Sequence, residues 1–331
     1  MRYCPHCASL FRGDYEHCAL DGSRLELVGC EDPLLGRHVD RYRIDAYIGQ
    51  GSTGRVYRAL HRTRGERFAV KLLWGDLGAD QSVARRFQRA AAASAKVCHR
   101  HLVHIEDFGT TLGGLSFLVM ELVQGQSLRE TLETSGPLPP ARVAKIGRQI
   151  AEGLAAAHEA GFVHRDIKPA NLVVDASGPE PQTKILDFGL VGLTLSEEDA
   201  RITASGTFVG TPLYMAPEQA RSTTGVRAAA DIYSLGVVLH EMLAGLPPFK
   251  GKTPLEVMIE HTMRPPPPLR PAGGLEHLVH WCLQKDPTAR PADARQVVAE
   301  LTRIEAVLSQ PTSDLATRLT DTLELEPYEP Q

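Results

Sequence analysis

The sequence predicts an α+β protein in which a strand-rich part precedes a helix-rich part, with a short cysteine-rich segment in front of both. Between residues 42 and 123, much of the pattern is typical of strands joined by glycine turns, whereas helical spacing dominates from about residue 140. Four of the six cysteines lie within the first thirty residues. A chain of 331 residues has room for one large two-lobed domain and a small appendage.

The bulk composition is that of an ordinary globular protein, with 43% hydrophobic and 23% charged residues. The net charge of −4 gives no reason to expect a nucleic-acid partner or an anionic membrane surface. No run of eighteen apolar residues occurs, and the N-terminus lacks the core of a signal peptide. We therefore expect no membrane segment and a cytoplasmic location.

The first third of the chain divides into four stretches. Residues 1–30 predict a small turn-rich element and residues 31–40 a linker. From about 42 to 74 the pattern predicts two strands around a glycine turn, then a third strand that contains Lys71. Helical spacing over residues 81–98 places five residues on one face, and Cys98 is expected to lie in the core: Val83, Phe87, Ala91, Ser94 and Cys98.

The rest of the chain becomes increasingly helical. Two apolar strands are predicted around 102–108 and 115–123. The most apolar helix, from Ile232 to Leu246, is expected to be buried, and Cys282 is expected to be a core residue. Residues 309–331 lose apolar periodicity and are rich in Ser, Thr, Asp, Glu and Pro, so they predict a disordered tail.

The most informative motif is H-R-D-x-K-x-x-N at residues 164–171, followed sixteen residues after Asn171 by Asp187-Phe188-Gly189. The motif supplies two carboxylates, a lysine and an amide that can converge on a nucleotide phosphate and its magnesium ion. In such a loop the aspartate, here Asp166, accepts the proton of an attacking hydroxyl, and the asparagine holds a metal ion. The aspartate of D-F-G chelates the magnesium that bridges the phosphates.

These two motifs resemble the catalytic centre of a eukaryotic-type protein kinase. The lysine at position 168 of the loop is similar to that of serine/threonine kinases, so the chain resembles a bacterial kinase of the Hanks type. G-x-G-x-x-G-x-V at residues 49–56 resembles the glycine-rich loop of these enzymes. Ala69-Val70-Lys71 resembles their lysine-bearing strand. The resemblance implies a bilobal protein-kinase-like fold over residues 41–308, with a β-rich small lobe at 41–123 and a helical large lobe at 124–308.

The same resemblance implies ATP and Mg²⁺ as cofactors and Ser or Thr of protein substrates as acceptors. It makes Asp166 the base, Lys168 the neutralising cation and Lys71 the partner of the α- and β-phosphates. Asn171 and Asp187 are the implied magnesium ligands. The implied nucleotide contacts are Ile48, Gly49, Gln50, Gly51, Ser52, Thr53, Gly54, Val56, Ala69, Lys71, Glu121, Val123 and Val173.

The resemblance also implies roles for several further residues. Met120 is similar to the gatekeeper before the adenine-binding hinge, and Asp231 to the aspartate that buttresses the catalytic loop. Arg290 resembles the partner of Glu218. Arg165 suggests activation by phosphorylation of the activation loop. The candidate phosphosites are Thr203, Ser205 and Thr207, while Thr211 is expected to make a structural contact to Asp166 and Lys168.

One departure from the family pattern concerns the partner of Lys71. Kinases carry a helix glutamate that grips the strand lysine, but Ala90 stands where that glutamate belongs. No Asp or Glu occurs between Asp80 and Glu106. Two hypotheses follow: a kinase of reduced but real activity, or a nucleotide-binding pseudokinase or scaffold that signals by conformation.

The N-terminal cysteines have the spacing of metal ligands and resemble the short zinc ribbons that precede some bacterial kinase domains. Cys4 and Cys7 form a C-P-x-C turn, and Cys18 with Asp21 forms a second turn. Zn²⁺ is therefore predicted, with Cys30, His6 and His17 as alternatives to Asp21, against a cap of reduced cysteines. Three arginines and four carboxylates give residues 1–30 a net charge of −1, which favours contact with a protein over nucleic acid.

Overall fold

The computed structural model describes residues 1–29, 32–51, 53–187, 212–221 and 227–310. The described chain forms a small N-terminal sheet, a larger sheet with two helices, and a helical lobe that contains a short sheet of its own. The predicted α+β, bilobal fold is thereby confirmed. Predictions for Cys30, Ser52, the phosphosites Thr203, Ser205 and Thr207, Thr211, and the tail from residue 311 fall outside the described residues.

Residues 1–29 form a three-stranded antiparallel sheet in the order β2–β1–β3. Its strands are β1 Arg2–Tyr3, β2 Leu10–Phe11 and β3 Glu26–Leu27. Because so short a sheet cannot bury a core of its own, its side chains pack in two directions. Three cysteines form one cluster with Phe11 and Leu25, whereas Tyr3 and Leu10 join the core of the neighbouring sheet.

The small lobe is built on a six-stranded antiparallel sheet in the order β4–β5–β6–β7–β9–β8. One of its strands lies in the predicted linker 31–40, where Leu34 and Val39 are also buried. The linker is therefore packed against the sheet. The strands are β4 His38–Val39, β5 Tyr42–Gln50, β6 Gly54–His61, β7 Arg67–Leu73, β8 Ile105–Thr110 and β9 Ser116–Glu121.

Strand β7 divides the small lobe into two apolar cores, because successive side chains of a strand point to opposite faces. Phe68, Val70 and Leu72 face an outer core that also takes in Tyr3 and Leu10. Ala69 and Leu73 face an inner core, and the alternation places Lys71 between them on the same face. The predicted nucleotide lysine thus lies on the face that is turned away from the N-terminal sheet.

Helices α1 Gly75–Ala79 and α2 Gln81–Ser94 follow β7. Asp80 caps α2 by accepting hydrogen bonds from the backbone of Ser82 and Val83, at 2.7 and 3.4 Å. The predicted apolar face is buried as far as Ser94, where the helix ends. The prediction that Cys98 is a core residue was wrong: Cys98 is exposed, since it lies beyond the helix whose spacing defined that face.

The large lobe is mainly helical. Its helices are α3 Leu128–Ser135, α4 Pro140–Glu159, α5 Pro217–Arg221, α6 Ala228–Ala244, α7 Pro254–Met263, α8 Leu275–Cys282 and α9 Ala294–Leu308. Helix α6 is buried from Ala230 to His240, as predicted for this apolar segment, but it ends at Ala244, and Leu246, predicted to lie within it, is exposed. Cys282 is fully buried, which confirms its prediction as a core residue.

A short antiparallel sheet connects the two lobes. Its strands are β10 Gln126–Ser127, β11 Leu172–Asp175 and β12 Gln182–Ile185. Ile185 accepts a hydrogen bond from the backbone of Val103 at 3.0 Å and donates one to His101 at 2.9 Å. The residues that enter β8 are thereby tied to the strand that precedes Asp187. Among the described helices, none is both long and apolar enough to cross a membrane.

Candidate active site

The backbone of the predicted catalytic loop is held by Asp231, at the start of α6. Its fully buried carboxylate accepts hydrogen bonds from the backbone of His164 and Arg165, at 2.8 and 2.7 Å, and from His158 Nε2 at 2.8 Å. Arg165 has a left-handed φ of 67°, which is unfavourable for a residue other than glycine. Asp231 thus stabilises a sharp turn immediately before Asp166.

Inside the loop, three predicted residues contact one another. Lys168 Nζ lies 2.7 Å from Asp166 Oδ2. Asn171 Nδ2 donates to the backbone oxygen of Asp166 at 2.9 Å and to its Oδ2 at 3.0 Å. The Asp166 carboxylate is therefore oriented by a cation and an amide.

Asp187 meets Lys71 across the cleft between the lobes. Lys71 Nζ lies 2.7 Å from Asp187 Oδ1, and the lysine is only 3% exposed. Burial raises the pKa of Asp187, but the charge and hydrogen bond of Lys71, together with His164 and Lys168, hold that pKa below its usual value. The preceding Leu186 donates its backbone N–H to Asn171 O at 2.8 Å, so Asp187 is attached to the catalytic loop.

Ala90 of α2 packs against the inner core, on the side of the sheet where Lys71 lies. The helix therefore presents a methyl group where the family pattern has a carboxylate. In the described part of the chain, the ion-pair partner of Lys71 is Asp187. In the absence of the helix glutamate, Lys71 is therefore neutralised by Asp187, another carboxylate of the site.

The predicted glycine-rich loop joins β5 and β6. Gly51 donates its N–H to Gly54 O at 2.8 Å. A Cβ at Gly54 would lie 1.9 Å from Leu72 O, so this position requires glycine for the close pairing of β6 and β7. A Cβ at Gly49 or Gly51 would meet no atom within 4 Å, so the space beside these two glycines is open.

The predicted adenine contacts are partly brought together. Val56, Ala69 and Val123 contact the inner core, which also contains the predicted gatekeeper Met120. Val173 is half-buried on β11 opposite Lys184, outside that cluster, and Ile48 is 50% exposed at the end of β5. The structure therefore brings Val56, Ala69 and Val123 together in one apolar cluster, to which Val173 and Ile48 do not belong.

The segment 212–221 contacts the catalytic loop from the other side. Arg290, 3% exposed, donates to both carboxylate oxygens of Glu218, at 2.7 and 2.8 Å. Gln219 Nε2 donates to Arg165 O at 3.2 Å. A buried bidentate pair of this kind is strong and directional, so it fixes the segment against the large lobe. The predicted pairing of Arg290 with Glu218 is present.

Two contacts at the site involve residues that sequence reasoning missed. His158 of α4 donates to Asp231 across 73 residues, and Lys184 of β12 pairs with Glu121 across 63 residues. Neither residue belongs to a local motif. The only available indication was charge complementarity between distant segments, which does not identify a pair in a single sequence.

The two N-terminal cysteine turns have the same backbone geometry. In the first, Cys4 N–H donates to Ser9 O at 2.9 Å, and in the second Cys18 N–H donates to Ser23 O at 2.8 Å. The residue before each serine is left-handed, with φ of 65° at Ala8 and 75° at Gly22. Asp21 therefore occupies, in the second turn, the position that Cys7 occupies in the first.

Cys4, Cys7, Cys18 and Asp21 each contribute an atom to a cluster in which all such atoms lie within 4.8 Å of one another. Cys7 Sγ and Cys18 Sγ are 3.5 Å apart, and Cys4 Sγ lies 3.4 Å from Asp21 Oδ2. Two thiolates on a tetrahedral zinc ion are about 3.8 Å apart when each Zn–S bond is about 2.3 Å. Among the described residues, His6 and His17 do not belong to this cluster.

Residues 42–301 match the family model described as the protein kinase domain. Serine/threonine-protein kinase pkn3 of Myxococcus xanthus is 37% identical over 239 residues, which cover 71% of this chain and 44% of that protein. Serine/threonine-protein kinase PknL of Mycobacterium tuberculosis is 40% identical over 230 residues, which cover 69% of this chain and 56% of that protein. The chain thus spans about half the length of these two relatives.

Solved structures agree with the sequence comparisons. The crystal structure of the Mycobacterium tuberculosis PknI kinase domain matches with a TM-score of 0.64 at 25% identity, covering 81% of this chain and 98% of that one. The family match covers both lobes described above, including the catalytic loop and its aspartates. The resemblance predicted from the motifs is confirmed, and the chain belongs to the protein kinase domain family.

Proposed function

We propose that the chain is a protein serine/threonine kinase that transfers the γ-phosphate of ATP to hydroxyl groups of protein substrates. The observation that carries this proposal is a continuous set of contacts from the small lobe to the predicted base. Lys71 pairs with Asp187, Leu186 bonds to Asn171, and Asn171 bonds to the carboxylate of Asp166. The groups needed for phosphoryl transfer therefore lie in one connected site.

Each residue of this set has a distinct task in the proposed reaction. The substrate hydroxyl oxygen attacks the γ-phosphorus, the bond from that phosphorus to the bridging oxygen of ADP breaks, and Asp166 accepts the hydroxyl proton. Lys168, 2.7 Å from Asp166, neutralises charge on the transferred group. Lys71 pairs with the α- and β-phosphates once nucleotide enters the cleft.

The donor atoms of Asn171 and Asp187 suit Mg²⁺. Both side chains offer oxygen, and magnesium is usually bound by one or two protein carboxylates together with substrate phosphates and water. When bound, the ion would supply positive charge that offsets the negative charge developing on the phosphate oxygens. The lowered pKa of Asp187 keeps its carboxylate ionised and available for this role.

The proposed ATP site lies between the glycine-rich loop and the inner core. Gly49 and Gly51 suit a phosphate site, since neither has a side chain to keep phosphate oxygens away from the backbone and the space beside both is open. The apolar side chains of Val56, Ala69 and Val123 are suited to the adenine ring. Ile48, Glu121 and Val173 complete the proposed contacts.

We further propose regulation by phosphorylation at Thr203, Ser205 or Thr207. Half-buried Arg165 supports this proposal, because it lies beside the catalytic loop and its guanidinium is suited to a phosphate. Phosphorylation would then couple the activation segment to the turn that precedes Asp166.

A second candidate function is nucleotide-dependent signalling without phosphoryl transfer. Ala90 favours it, because α2 supplies no carboxylate to Lys71. The Lys71–Asp187 pair weighs against it, since the lysine is neutralised and aimed into the cleft without a helix glutamate.

Phosphate transfer to a mixed protein substrate distinguishes the two functions. Full-length chain, Mg²⁺ and γ-labelled ATP should place label on Ser and Thr, as identified by phosphoamino-acid analysis. If ATP binds measurably but neither residue is labelled, the kinase proposal is wrong and the signalling function takes its place.

We also propose that residues 1–29 bind one Zn²⁺ through Cys4, Cys7, Cys18 and Asp21. Equivalent turns that present three buried thiols and one carboxylate support this donor set. Three sulfur ligands favour zinc over magnesium or calcium. The small net charge of this ribbon is suited to contact with a protein.

Metal analysis of the purified full-length chain tests the zinc proposal. About one equivalent of zinc is expected, with a loss in Cys18→Ser and none in the matched control Cys98→Ser, since Cys98 is exposed outside the cluster. Less than half an equivalent in the unmodified protein would contradict the proposal.

A further inference from the structure

Trp74 donates two hydrogen bonds to the glycine-rich loop. This residue, 1% exposed, lies between β7, which carries Lys71, and α1. Its indole Nε1 donates to Gly51 O at 3.2 Å, and its backbone N–H donates to Thr53 O at 3.1 Å. One residue thus donates to two backbone carbonyl oxygens of the loop between β5 and β6.

The N-terminal sheet packs against Trp74 from the side remote from the cleft. The guanidinium carbon of Arg12 lies 4.7 Å from the centre of the indole ring. Leu10 shares the outer core with Trp74. Fully buried Phe11 lies against Gly75, where an added Cβ would come within 2.3 Å of its ring. The indole is therefore enclosed between the ribbon and the loop.

This enclosure bears on nucleotide binding because a glycine-rich turn has a large conformational entropy to lose when it closes on phosphate. A loop that is already held by two hydrogen bonds loses less freedom on binding, and the affinity rises accordingly. The indole N–H can donate to Gly51 only while the ring keeps its orientation, which Arg12 restricts directly and Phe11 restricts through Gly75, the residue next to Trp74.

We propose that Trp74 is a positioning residue for the nucleotide loop, and that residues 1–29 hold Trp74 so that the N-terminal ribbon sets the affinity for ATP. The inference rests on the proposed function, since it assumes that ATP binds beneath this loop. Neither Trp74 nor the ribbon contacts the reacting atoms, so the effect falls on nucleotide binding and not on the chemical step.

Trp74→Phe tests the first half of the proposal, because it keeps an aromatic ring and removes the N–H donor. The Kd of a fluorescent ATP analogue with Mg²⁺ should rise about two- to tenfold, the range expected for one lost hydrogen bond. The KM for ATP should rise by a similar factor with kcat nearly unchanged. Trp281→Phe is the matched control, since this second tryptophan is half-buried in α8 of the large lobe.

Gly75→Ala tests the second half without altering Trp74, because the new methyl group displaces Phe11. Gly78→Ala is its control in the same helix, where a Cβ would meet only Gly114 O, at 3.9 Å. Gly75→Ala should raise the Kd for the analogue by at least twofold, and Gly78→Ala should leave it unchanged. Melting temperatures verify that each variant is folded, and Gly75→Ala decides the matter if Trp74→Phe does not fold.

The outcomes separate this inference from the proposed function. Wild-type affinity in folded Trp74→Phe protein would overturn the inference while leaving the kinase intact, and so would wild-type affinity in Gly75→Ala if Trp74→Phe does not fold. An effect of Trp74→Phe alone would remove the ribbon from the proposal. Failure of the unmodified chain to bind the analogue would instead overturn the proposed function, and the inference with it.

Discussion

Lys71 is the residue on which the nucleotide site depends. Its ammonium is almost fully buried, and a buried charge is costly unless it is paired. In the described part of the chain its ion-pair partner is Asp187, which we also propose as a magnesium ligand. On this proposal one carboxylate has two tasks, and magnesium and Lys71 would compete for it when nucleotide binds.

Ala90→Glu should relieve this competition by giving Lys71 a carboxylate of its own. A charge-assisted hydrogen bond is worth about 1.5–3 kcal/mol, so kcat/KM should rise by about one to two decades. Steady-state kinetics with ATP and a protein substrate measure this change.

Ala92→Glu is the matched control for Ala90→Glu. It adds the same side chain to the same helix, two residues away and on another face, so kcat/KM should stay near that of the unmodified protein. An unchanged rate in Ala90→Glu would show that the Lys71–Asp187 pair already compensates in full.

Single residues also show what the sequence could and could not predict. Asp166, Lys168 and Asn171 lie within one short loop, so their local spacing was sufficient to predict a common site. His158 and Lys184 reach their partners Asp231 and Glu121 only through the fold. Such pairs depend on tertiary packing, which no local pattern encodes.

The catalytic loop, at the scale of elements, is held by its neighbours and not by its own hydrogen bonds alone. The start of α6 supplies Asp231, and α4 supplies His158. The segment 212–221 supplies Gln219, and Arg290 fixes that segment from the turn before α9. The geometry of Asp166 therefore depends on the packing of the whole helical lobe.

Helix α7 contributes to this packing through His261, which is 1% exposed. Its ring contacts Tyr233 Oη at 2.9 Å and Leu213 O at 3.1 Å, which joins α6 to the segment 212–221. Burial, and then the nearby charge of Lys285, lower the pKa of His261 to about 4. The folded protein therefore keeps this imidazole neutral, whereas the unfolded chain protonates it near pH 6.5.

Because the unfolded chain binds the extra proton, the contribution of His261 to stability is lost as pH falls from about 6.5 to 4. Between pH 7 and pH 5 this histidine should remove about 2 kcal/mol from the free energy of unfolding. Urea titrations at both pH values should show that His261→Gln, though less stable at pH 7, loses about 2 kcal/mol less over that interval. Equal losses in both proteins would contradict the assignment.

Element boundaries were less predictable than element types. The helical spacing of residues 81–98 predicted α2, but the helix ends at Ser94 and Cys98 is exposed. The apolar spacing continues to Cys98, beyond the end of the helix at Ser94, so spacing alone did not locate that end. Segment 31–40 was predicted as a linker from its composition, yet Leu34 and Val39 are buried against the sheet.

In the molecule as a whole, the N-terminal ribbon and the small lobe share one core. Tyr3 and Leu10 contribute to the outer core of the six-stranded sheet, and Phe11 and Arg12 pack around α1 and Trp74. The sequence predicted both units from separate motifs. Their contact could not be predicted, because it depends on tertiary packing between apolar side chains of two units that have no common motif.

Across the cleft, the two lobes are joined at the site itself by the Lys71–Asp187 pair and by the backbone bonds of Ile185 to His101 and Val103. The ribbon, the nucleotide loop, the lysine strand and the catalytic loop thus form a single connected path. We expect changes at one end of this path to alter ATP affinity, and changes at the other end to alter the chemical step.

The central claim is that Asp166 serves as the base in phosphoryl transfer by this chain. The most direct measurement is the rate of Mg²⁺-dependent transfer from γ-labelled ATP, with Asp166→Asn purified and assayed in parallel. Loss of a general base should lower the rate about 10²- to 10⁴-fold while ATP binding persists. Equal rates in the two proteins, or no transfer above the Asp166→Asn background, would contradict the claim.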